Sequence, residues 1–133
     1  MTYLFDTSVA IELRDGDRAF RSLLATVDET PSISVITRVE LEGGVYANAV
    51  LAEKRRKAVD ALLREFIVLD FTDEMAEIYG AIVEQVGFSR RKITDRMIAA
   101  TALAHDLTLV TLNGRDFRDV PGLELVEWER PEE

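Results

Sequence analysis

The order of apolar and polar positions along the chain predicts short strands separated by helices. Apolar runs at residues 3–5, 33–36 and 67–69 are bounded by polar or turn residues, which is typical of buried strands. Two further runs, at 107–112 and 123–128, follow near the end of the sequence. Since parallel strands are joined by crossovers that are usually helical, this alternation predicts a parallel sheet.

Six helices are predicted between these strands. Their apolar residues recur at helical spacing, within 9–13, 19–27 and 51–65 and after Thr37, Thr72 and Thr94. The fold class that follows is a three-layer α/β/α domain with a central, mostly parallel sheet of four to five strands. We expect a single domain over residues 1–133, because the sequence has no linker, repeat or low-complexity segment.

Composition narrows the class of protein. The chain is 47% hydrophobic and 31% charged, as globular domains are. It has no cysteine, which excludes disulfides, thiolate metal sites and a thiol nucleophile and suits a reducing compartment. No leader or bilayer-length apolar run is evident, so we expect a cytoplasmic protein. The net charge of −9 counts against a protein that coats nucleic acid.

Four acids are expected at one edge of this sheet. Asp6 directly follows the first strand, Glu40 follows the second, and Asp116 lies just beyond the fourth. Asp95 opens the helix that leads back to the start of the fourth strand, so that helix begins at the same edge. Because the carboxyl ends of parallel strands share one edge of a sheet, we expect these carboxylates to lie close together.

Each acid also has a purely structural explanation. Glu40, three residues after Thr37, matches a capping box, and Asp95 suits a helix N-terminus through the helix dipole. Asp116, three residues after an asparagine, could belong to a cap of a short helix. Asp6 is harder to explain in this way, because a carboxylate beside a central strand is costly to bury unless it is paired or bound to a metal ion.

Helix faces give a second indication for two of the acids. The residues on the helix face of Asp95 are apolar: Ile98, Ala99 and Ala102. That face should point inward and hold Asp95 over the sheet. The residues on the helix face of Glu40 are small: Gly43, Gly44 and Ala47. They would let another backbone or a substrate approach closely, which a simple cap does not require.

Four carboxylates without matching cations would repel one another and raise their own pKa values. Divalent cations resolve this, and a donor set made only of oxygen suits Mg²⁺ or Mn²⁺ better than zinc. The single histidine, His105, lies at a helix end and is given no catalytic role. Such a site is typical of phosphodiester hydrolysis, in which a bound water is activated and phosphate charge is neutralised.

The sequence resembles the PIN-domain family, in particular the VapC-type toxins of toxin/antitoxin pairs, nearly end to end. The resemblance lies in TYLFDTSVAIELRDGD, ISVITRVELEGGV, KITDRMIAATALAHDLTLVT and TLNGRDF. It implies a metal-binding set at Asp6, Glu40, Asp95 and Asp116, with supporting polar residues at Thr7, Thr111 and Asn113. Arg96 departs from the pattern, where a small or apolar residue is expected; it could alter metal loading or substrate fit, or simply face solvent.

The same resemblance implies a biological role. Members of the family look like Mg²⁺- or Mn²⁺-dependent endoribonucleases that form homodimers and larger complexes with a cognate VapB-type antitoxin. A toxin of this kind would cleave transfer RNA or ribosomal RNA and inhibit translation. Basic residues near the acids could hold RNA phosphates, or could form an ordinary solvated surface: Arg90, Arg91, Lys92 and Arg115.

Two other functions remain as alternatives. A noncatalytic PIN-like module that binds RNA or protein would be expected to lack one or more of the acids, and all four are present. A phosphoacceptor signalling domain would have an acid pair after the first strand and a lysine after a late strand. Here Thr7 and Ser8 follow Asp6, and Asn113 and Gly114 follow the fourth strand, so this alternative is disfavoured.

Overall fold

A five-stranded sheet lies at the centre of the structure, a computed structural model that describes residues 2–130. Its strands are β1 (Tyr3–Phe5), β2 (Ser32–Ser34), β3 (Ile67–Leu69), β4 (Thr108–Thr111) and β5 (Leu125–Glu127). They are arranged in the order β3-β2-β1-β4-β5, and each neighbouring pair is parallel. The predicted fold class is confirmed, and β1 occupies the central position.

Helices cover both faces of the sheet. Within residues 2–130 they are α1 (Thr7–Arg14), α2 (Arg18–Ala25), α3 (Val35–Tyr46), α4 (Ala52–Glu65), α5 (Asp73–Val86) and α6 (Ile93–Ala104). Short 3-10 turns are formed by Arg90–Lys92 and by Gly114–Asp116. No helix in this part of the chain combines the length and the apolar character needed to cross a membrane.

Two apolar cores lie on opposite faces of the sheet, because side chains alternate along a strand. In β1, Phe5 packs into the core covered by α1 to α4, whereas Leu4 packs into the core covered by α5 and α6. Val110 and Leu109 of β4 divide in the same way. Since both faces are covered, these central strands are apolar at nearly every position, and the polar residues collect where the strands end.

Helix α3 begins earlier than the sequence predicts. The expected strand 33–36 ends at Ser34, whose hydroxyl accepts a hydrogen bond from the Ile36 amide and caps the helix. A serine cap here outweighs the strand preference of the two β-branched residues that follow it. Thr37 therefore lies inside α3 and is fully buried, and Glu40 falls in the second turn rather than the first.

Candidate active site

Asp6 is the most deeply placed of the four acids. It follows β1 at the carboxyl edge of the sheet and is only 4% exposed. One carboxylate oxygen accepts hydrogen bonds from the Ser8 hydroxyl at 2.6 Å and from the Val9 amide at 3.1 Å, so Asp6 also caps α1. The other accepts a short hydrogen bond from the Thr111 hydroxyl at the end of β4. Asp6 thus joins the ends of the two central strands.

The two hydroxyls around Asp6 are oriented by the backbone. Ser8 Oγ accepts a hydrogen bond from the Leu112 amide at 3.1 Å, and Thr111 Oγ1 accepts one from the Asn113 amide at 2.9 Å. Since each hydroxyl has a single hydrogen, and these oxygens already accept from amides, the hydrogens are directed to the carboxylate. Hydrogen bonds in such chains strengthen one another, which favours the ionised form of Asp6.

Burial and hydrogen bonding act on Asp6 in opposite directions. Burial raises the pKa of the carboxyl group, whereas the hydrogen bonds from Ser8, Thr111 and the backbone lower it, and the net shift is upward. The hydrogen bonds therefore offset the cost of burying the Asp6 carboxylate only in part. From the sequence we expected a buried Asp6 to be either paired or bound to a metal ion, and in the structure it is paired with hydrogen-bond donors.

Glu40 is exposed and is held by a different hydroxyl. Its carboxylate accepts a hydrogen bond of 2.7 Å from Thr7 Oγ1, and the Thr37 hydroxyl lies 3.1 Å from that same oxygen of Thr7. The capping-box explanation of Glu40 is wrong, because Ser34 caps α3. Thr7 and Glu40, which come from α1 and α3, are brought together as the resemblance implies.

One of the small residues on the helix face of Glu40, Gly44, is required by close packing within the protein. A Cβ added to Gly44 would lie 3.0 Å from Arg14 Nη1, and the Gly44 carbonyl accepts a hydrogen bond of 2.8 Å from Arg55. Nothing lies within 4 Å of a Cβ added to Gly43. The expectation that this face admits a substrate is therefore not needed to explain Gly44.

Asp95 lies in the first turn of α6, half-buried over the rim. The residues predicted to form its inward face are buried, with 0 to 1% exposure: Ile98, Ala99 and Ala102. Within residues 2–130 its carboxylate accepts no hydrogen bond. Burial first, and then the negative charges of Asp116, Asp6 and Glu40, raise the pKa of Asp95 to about 6. The three other acids therefore lie close enough to Asp95 to act on its charge.

Asp116 lies in the 3-10 turn Gly114–Asp116 after β4. Asn113 occupies the cap position of this turn, but its side chain makes no capping hydrogen bond. The explanation of Asn113 and Asp116 as parts of a helix cap is therefore wrong. Asn113 is exposed, and its proposed support of the last acid remains a prediction. Like Asp95, Asp116 accepts no hydrogen bond on its carboxylate within the described part of the chain.

Glu127, at the end of β5, is a site residue that the sequence reasoning missed. Its carboxylate accepts hydrogen bonds from the Gly114 amide at 3.0 Å and from Arg118 at 3.1 Å, and so fixes the turn that carries Asp116. A Cβ on Gly114 would overlap the Glu127 carboxylate. The available signal was position, since the last residue of every parallel strand lies at the same edge.

A divalent cation suits the chemistry of these four side chains. Each offers carboxylate oxygens, which Mg²⁺ and Mn²⁺ prefer, and the raised pKa of Asp95 shows that the negative charge is not fully offset. Within residues 2–130, however, no three acidic or histidine side chains are placed to hold an ion together. Binding would therefore require side-chain rotation, which the exposed Glu40 and the unbonded Asp95 and Asp116 allow.

Arg96 is buried, so the expectation that it could face solvent is wrong. It is 3% exposed, and its guanidinium donates to the Gly87 carbonyl at 2.6 Å and to Asp119 at 3.4 Å. Its Nε has no partner within the described residues. Arg96 thus connects α6 to Gly87 before the helix and to Asp119 after it, and it is not a surface cation.

The basic residues near the acids differ in their surroundings. Arg90, Arg91 and Arg115 are exposed, whereas Lys92 is mostly covered and lies 3.6 Å from the carboxylate of Asp119. Lys92 is therefore partly neutralised. His105 is exposed at the C-terminal cap of α6, at the end of the helix remote from Asp95, in keeping with the absence of a catalytic role.

Replacing Thr7 with valine tests whether the Glu40 carboxylate has to be held. Thr7→Val removes the 2.7 Å hydrogen bond and nearly preserves side-chain volume. We expect RNA cleavage at limiting Mg²⁺ to fall by about 10- to 100-fold, the usual effect of losing a residue that orients a ligand. Initial rates should be measured across a Mg²⁺ titration, with Thr26→Val as control, since Thr26 bonds only to a carbonyl of its own helix. An unchanged Mg²⁺ dependence would contradict this role.

Comparison with known proteins agrees with the fold. The family model of the PIN domain matches residues 3–123. Ribonuclease VapC2 of Rickettsia felis is 29% identical, covering 98% of this chain and all of its own; ribonuclease VapC19 of Mycobacterium tuberculosis is 32% identical, covering 91% and 96%. A solved structure of VapBC2 from Rickettsia felis bound to promoter DNA aligns with a TM-score of 0.85 and 27% identity, over 97% of this chain and all of the other. The chain therefore belongs to the PIN domain family, among relatives of the VapC type.

Proposed function

We propose that this protein is a metal-dependent endoribonuclease that hydrolyses phosphodiester bonds with Mg²⁺, or Mn²⁺, at the four-acid rim. The observation that carries the proposal is the convergence of four carboxylates at the carboxyl edge of the sheet, where burial and the charges of the three other acids raise the pKa of Asp95 to about 6, against a smaller opposing effect of Lys92. Such an excess of carboxylates favours divalent metal binding. The names of the VapC relatives as ribonucleases support the same chemistry.

The side chains have distinct tasks in this proposal. Asp6 is held in place by Ser8 and Thr111, whose hydrogen bonds lower its pKa against the larger effect of burial, and Glu40 is held by Thr7. Asp95 and Asp116 keep all their carboxylate lone pairs free of hydrogen bonds within residues 2–130. A divalent cation in such a site supplies an activated water and neutralises charge on the phosphate. No separate protein base is then required.

The biological role follows from the family. We propose that the protein is the toxin of a toxin/antitoxin pair, inhibiting translation in the cytoplasm by cutting transfer RNA or ribosomal RNA. A VapB-type antitoxin is the proposed partner, because the matched Rickettsia felis structure is a VapBC complex bound to promoter DNA. A homodimer, and a larger complex with the antitoxin, complete the proposal.

Metal removal is the test of this function. Purified, antitoxin-free protein is incubated with total RNA in Mg²⁺, in Mn²⁺ and in EDTA, and products are resolved on denaturing gels. Cleavage is expected with either ion and should disappear in EDTA, because unshielded carboxylates repel the phosphate. An Asp28→Asn control, at an exposed acid on the loop before β2 whose side chain forms no hydrogen bond or ion pair in the described residues, should cleave RNA as the wild type does.

Two results would overturn the proposal. Cleavage that persists in EDTA would exclude the metal-carboxylate mechanism. RNA binding without cleavage in either ion would favour the noncatalytic PIN-like module instead.

A further inference from the structure

A cavity of about 520 Å³ adjoins the acidic rim and is bordered by basic side chains. Arg91, from the 3-10 turn before α6, and Arg115 and Arg118, from the segment after β4, line it together with Asn113. Of the four acids, Asp116 alone lies on its wall, and Glu127 lines it as well. The cavity is therefore a groove that adjoins the acidic rim at Asp116.

The arginines of this groove differ in how far their charge is neutralised. Arg118 is paired with Glu127 at 3.1 Å. Arg91 and Arg115 are exposed and make no hydrogen bond or ion pair with any other residue in 2–130. In a chain with a net charge of −9, two uncompensated guanidinium groups on one groove form a local positive site.

We propose that this groove binds a backbone phosphate of the RNA substrate, one or more nucleotides from the bond that is cut; this rests on the proposed function. Arg91 and Arg115 hold the phosphate from two sides, since a guanidinium matches phosphate geometry with paired N–H donors. Asn113, whose side-chain amide makes no hydrogen bond within the described residues, also lines the groove and can contact a ribose or base edge.

The connection of the groove to the acidic rim favours RNA over an acidic protein segment as the occupant. Asp116 lines the groove, so an RNA whose scissile phosphate lies at the rim can extend into it. Arg90 and Lys92 flank Arg91 in sequence but do not line the groove, and Lys92 is already paired with Asp119. Of the four basic residues predicted to bind RNA, the groove thus selects Arg91 and Arg115 and adds Arg118.

The test is RNA binding in EDTA, where no cleavage is expected. Affinity of the full-length protein for short fluorescein-labelled uridine and adenine oligoribonucleotides is measured by anisotropy over a range of salt concentrations. The double variant Arg91→Gln/Arg115→Gln should bind both RNAs more weakly and lower the slope of log affinity against log salt by about 0.7, because the two arginines together neutralise one phosphate of a single strand. Since both side chains are exposed and unpaired, its denaturation midpoint should match the wild type.

Two arginine variants serve as matched controls. Arg90→Gln removes the same charge one residue away, from a side chain that does not line the groove. Arg64→Gln removes it from the last turn of α4, beside the start of β3 at the opposite edge of the sheet. Both should keep the wild-type salt slope. If Arg90→Gln lowers the slope as much as the groove variants do, the basic segment acts through general charge and the groove assignment is wrong.

The remaining outcomes separate the groove from the nuclease proposal. If the wild type cleaves RNA with Mg²⁺ and the double variant binds RNA with an unchanged slope, the groove proposal fails and the nuclease stands. If the slope falls as expected but no RNA is cleaved by the wild type, the groove stands and the nuclease fails. A double variant that binds RNA normally but no longer binds an antitoxin assigns the groove to the protein partner and overturns the proposal.

Discussion

Asp95→Asn should lower the rate of Mg²⁺-supported RNA cleavage by more than about 100-fold, beyond the effect of losing a residue that only orients a ligand. Asparagine keeps the shape of the side chain but removes the negative charge that the other acids oppose. Single-turnover rates on one RNA substrate, at saturating Mg²⁺, measure the effect. A variant with near wild-type rates would remove Asp95 from the site.

The same substitution should make the metal-free protein more stable at neutral pH. Because the pKa of Asp95 is raised from 3.8 to about 6, the unfolded chain releases this proton first, and stability is lost as pH rises between those values. The pKa shift of Asp95 on its own corresponds to about 3 kcal/mol of unfolding free energy. Solvent screening and the lost helix-dipole interaction reduce the stabilisation expected from Asp95→Asn to about 1 kcal/mol.

Urea unfolding in EDTA at two pH values distinguishes this effect from a general change in stability. Asp95→Asn should raise the free energy of unfolding at pH 7 and leave it nearly unchanged below about pH 3, where both states carry the proton. Equal stabilisation at the two pH values would show that repulsion among the acids is not the cause.

Asp6→Ala is expected to reduce stability as well as activity. The substitution leaves the Ser8 and Thr111 hydroxyls and the Val9 amide without their acceptor in a buried site. Unsatisfied buried donors and the lost cap together cost about 2–4 kcal/mol at pH 7, after allowance for removing a buried charge. Cleavage should become undetectable. Urea unfolding and single-turnover cleavage measure the two effects.

A second aspartate cap is the matched control for Asp6. Asp17 caps α2 by accepting hydrogen bonds from the Ala19 and Phe20 amides, but it bonds to no hydroxyl and lies outside the acidic rim. Asp17→Ala should cost only about 1 kcal/mol and leave cleavage unchanged. If Asp6→Ala costs no more than Asp17→Ala, the network of Ser8 and Thr111 contributes little to the fold.

The order of strands and helices was predictable because burial of a parallel sheet on both faces leaves continuous apolar runs. For β3 the predicted bounds, 67–69, are those observed. The start of α3 was predicted wrongly, because β-branched residues after Ser34 favour a strand locally while the serine hydroxyl favours a helix. Whether a helix cap or a strand propensity prevails depends on tertiary packing, and the sequence of one short segment does not contain that information.

The position of the four acids could be predicted from topology alone, since the last residues of parallel strands lie at one edge of the sheet. The hydrogen bonds that hold these acids could not be predicted in this way. Ser8 and Thr111 meet at Asp6 from points 103 residues apart, and Glu127 reaches a glycine amide across a loop. For Arg96 the sequence left open an effect on the site or a solvent-facing position, and its burial was not predicted because its carbonyl partner, Gly87, lies on another segment. The metal ions remain a prediction of donor chemistry.

The hydrogen bond between Asp6 and Thr111 has a consequence for the alignment of the sheet itself. Strands β1 and β4 pair over only three residues, from Tyr3 opposite Thr108 to Phe5 opposite Val110. Apolar residues on both faces would tolerate a slip by one position, because either alignment buries them. A slip would leave the buried carboxylate without its threonine donor and with an unmet desolvation cost. Asp6, a proposed metal ligand, thus also favours the observed register of β1 and β4 over a register shifted by one residue.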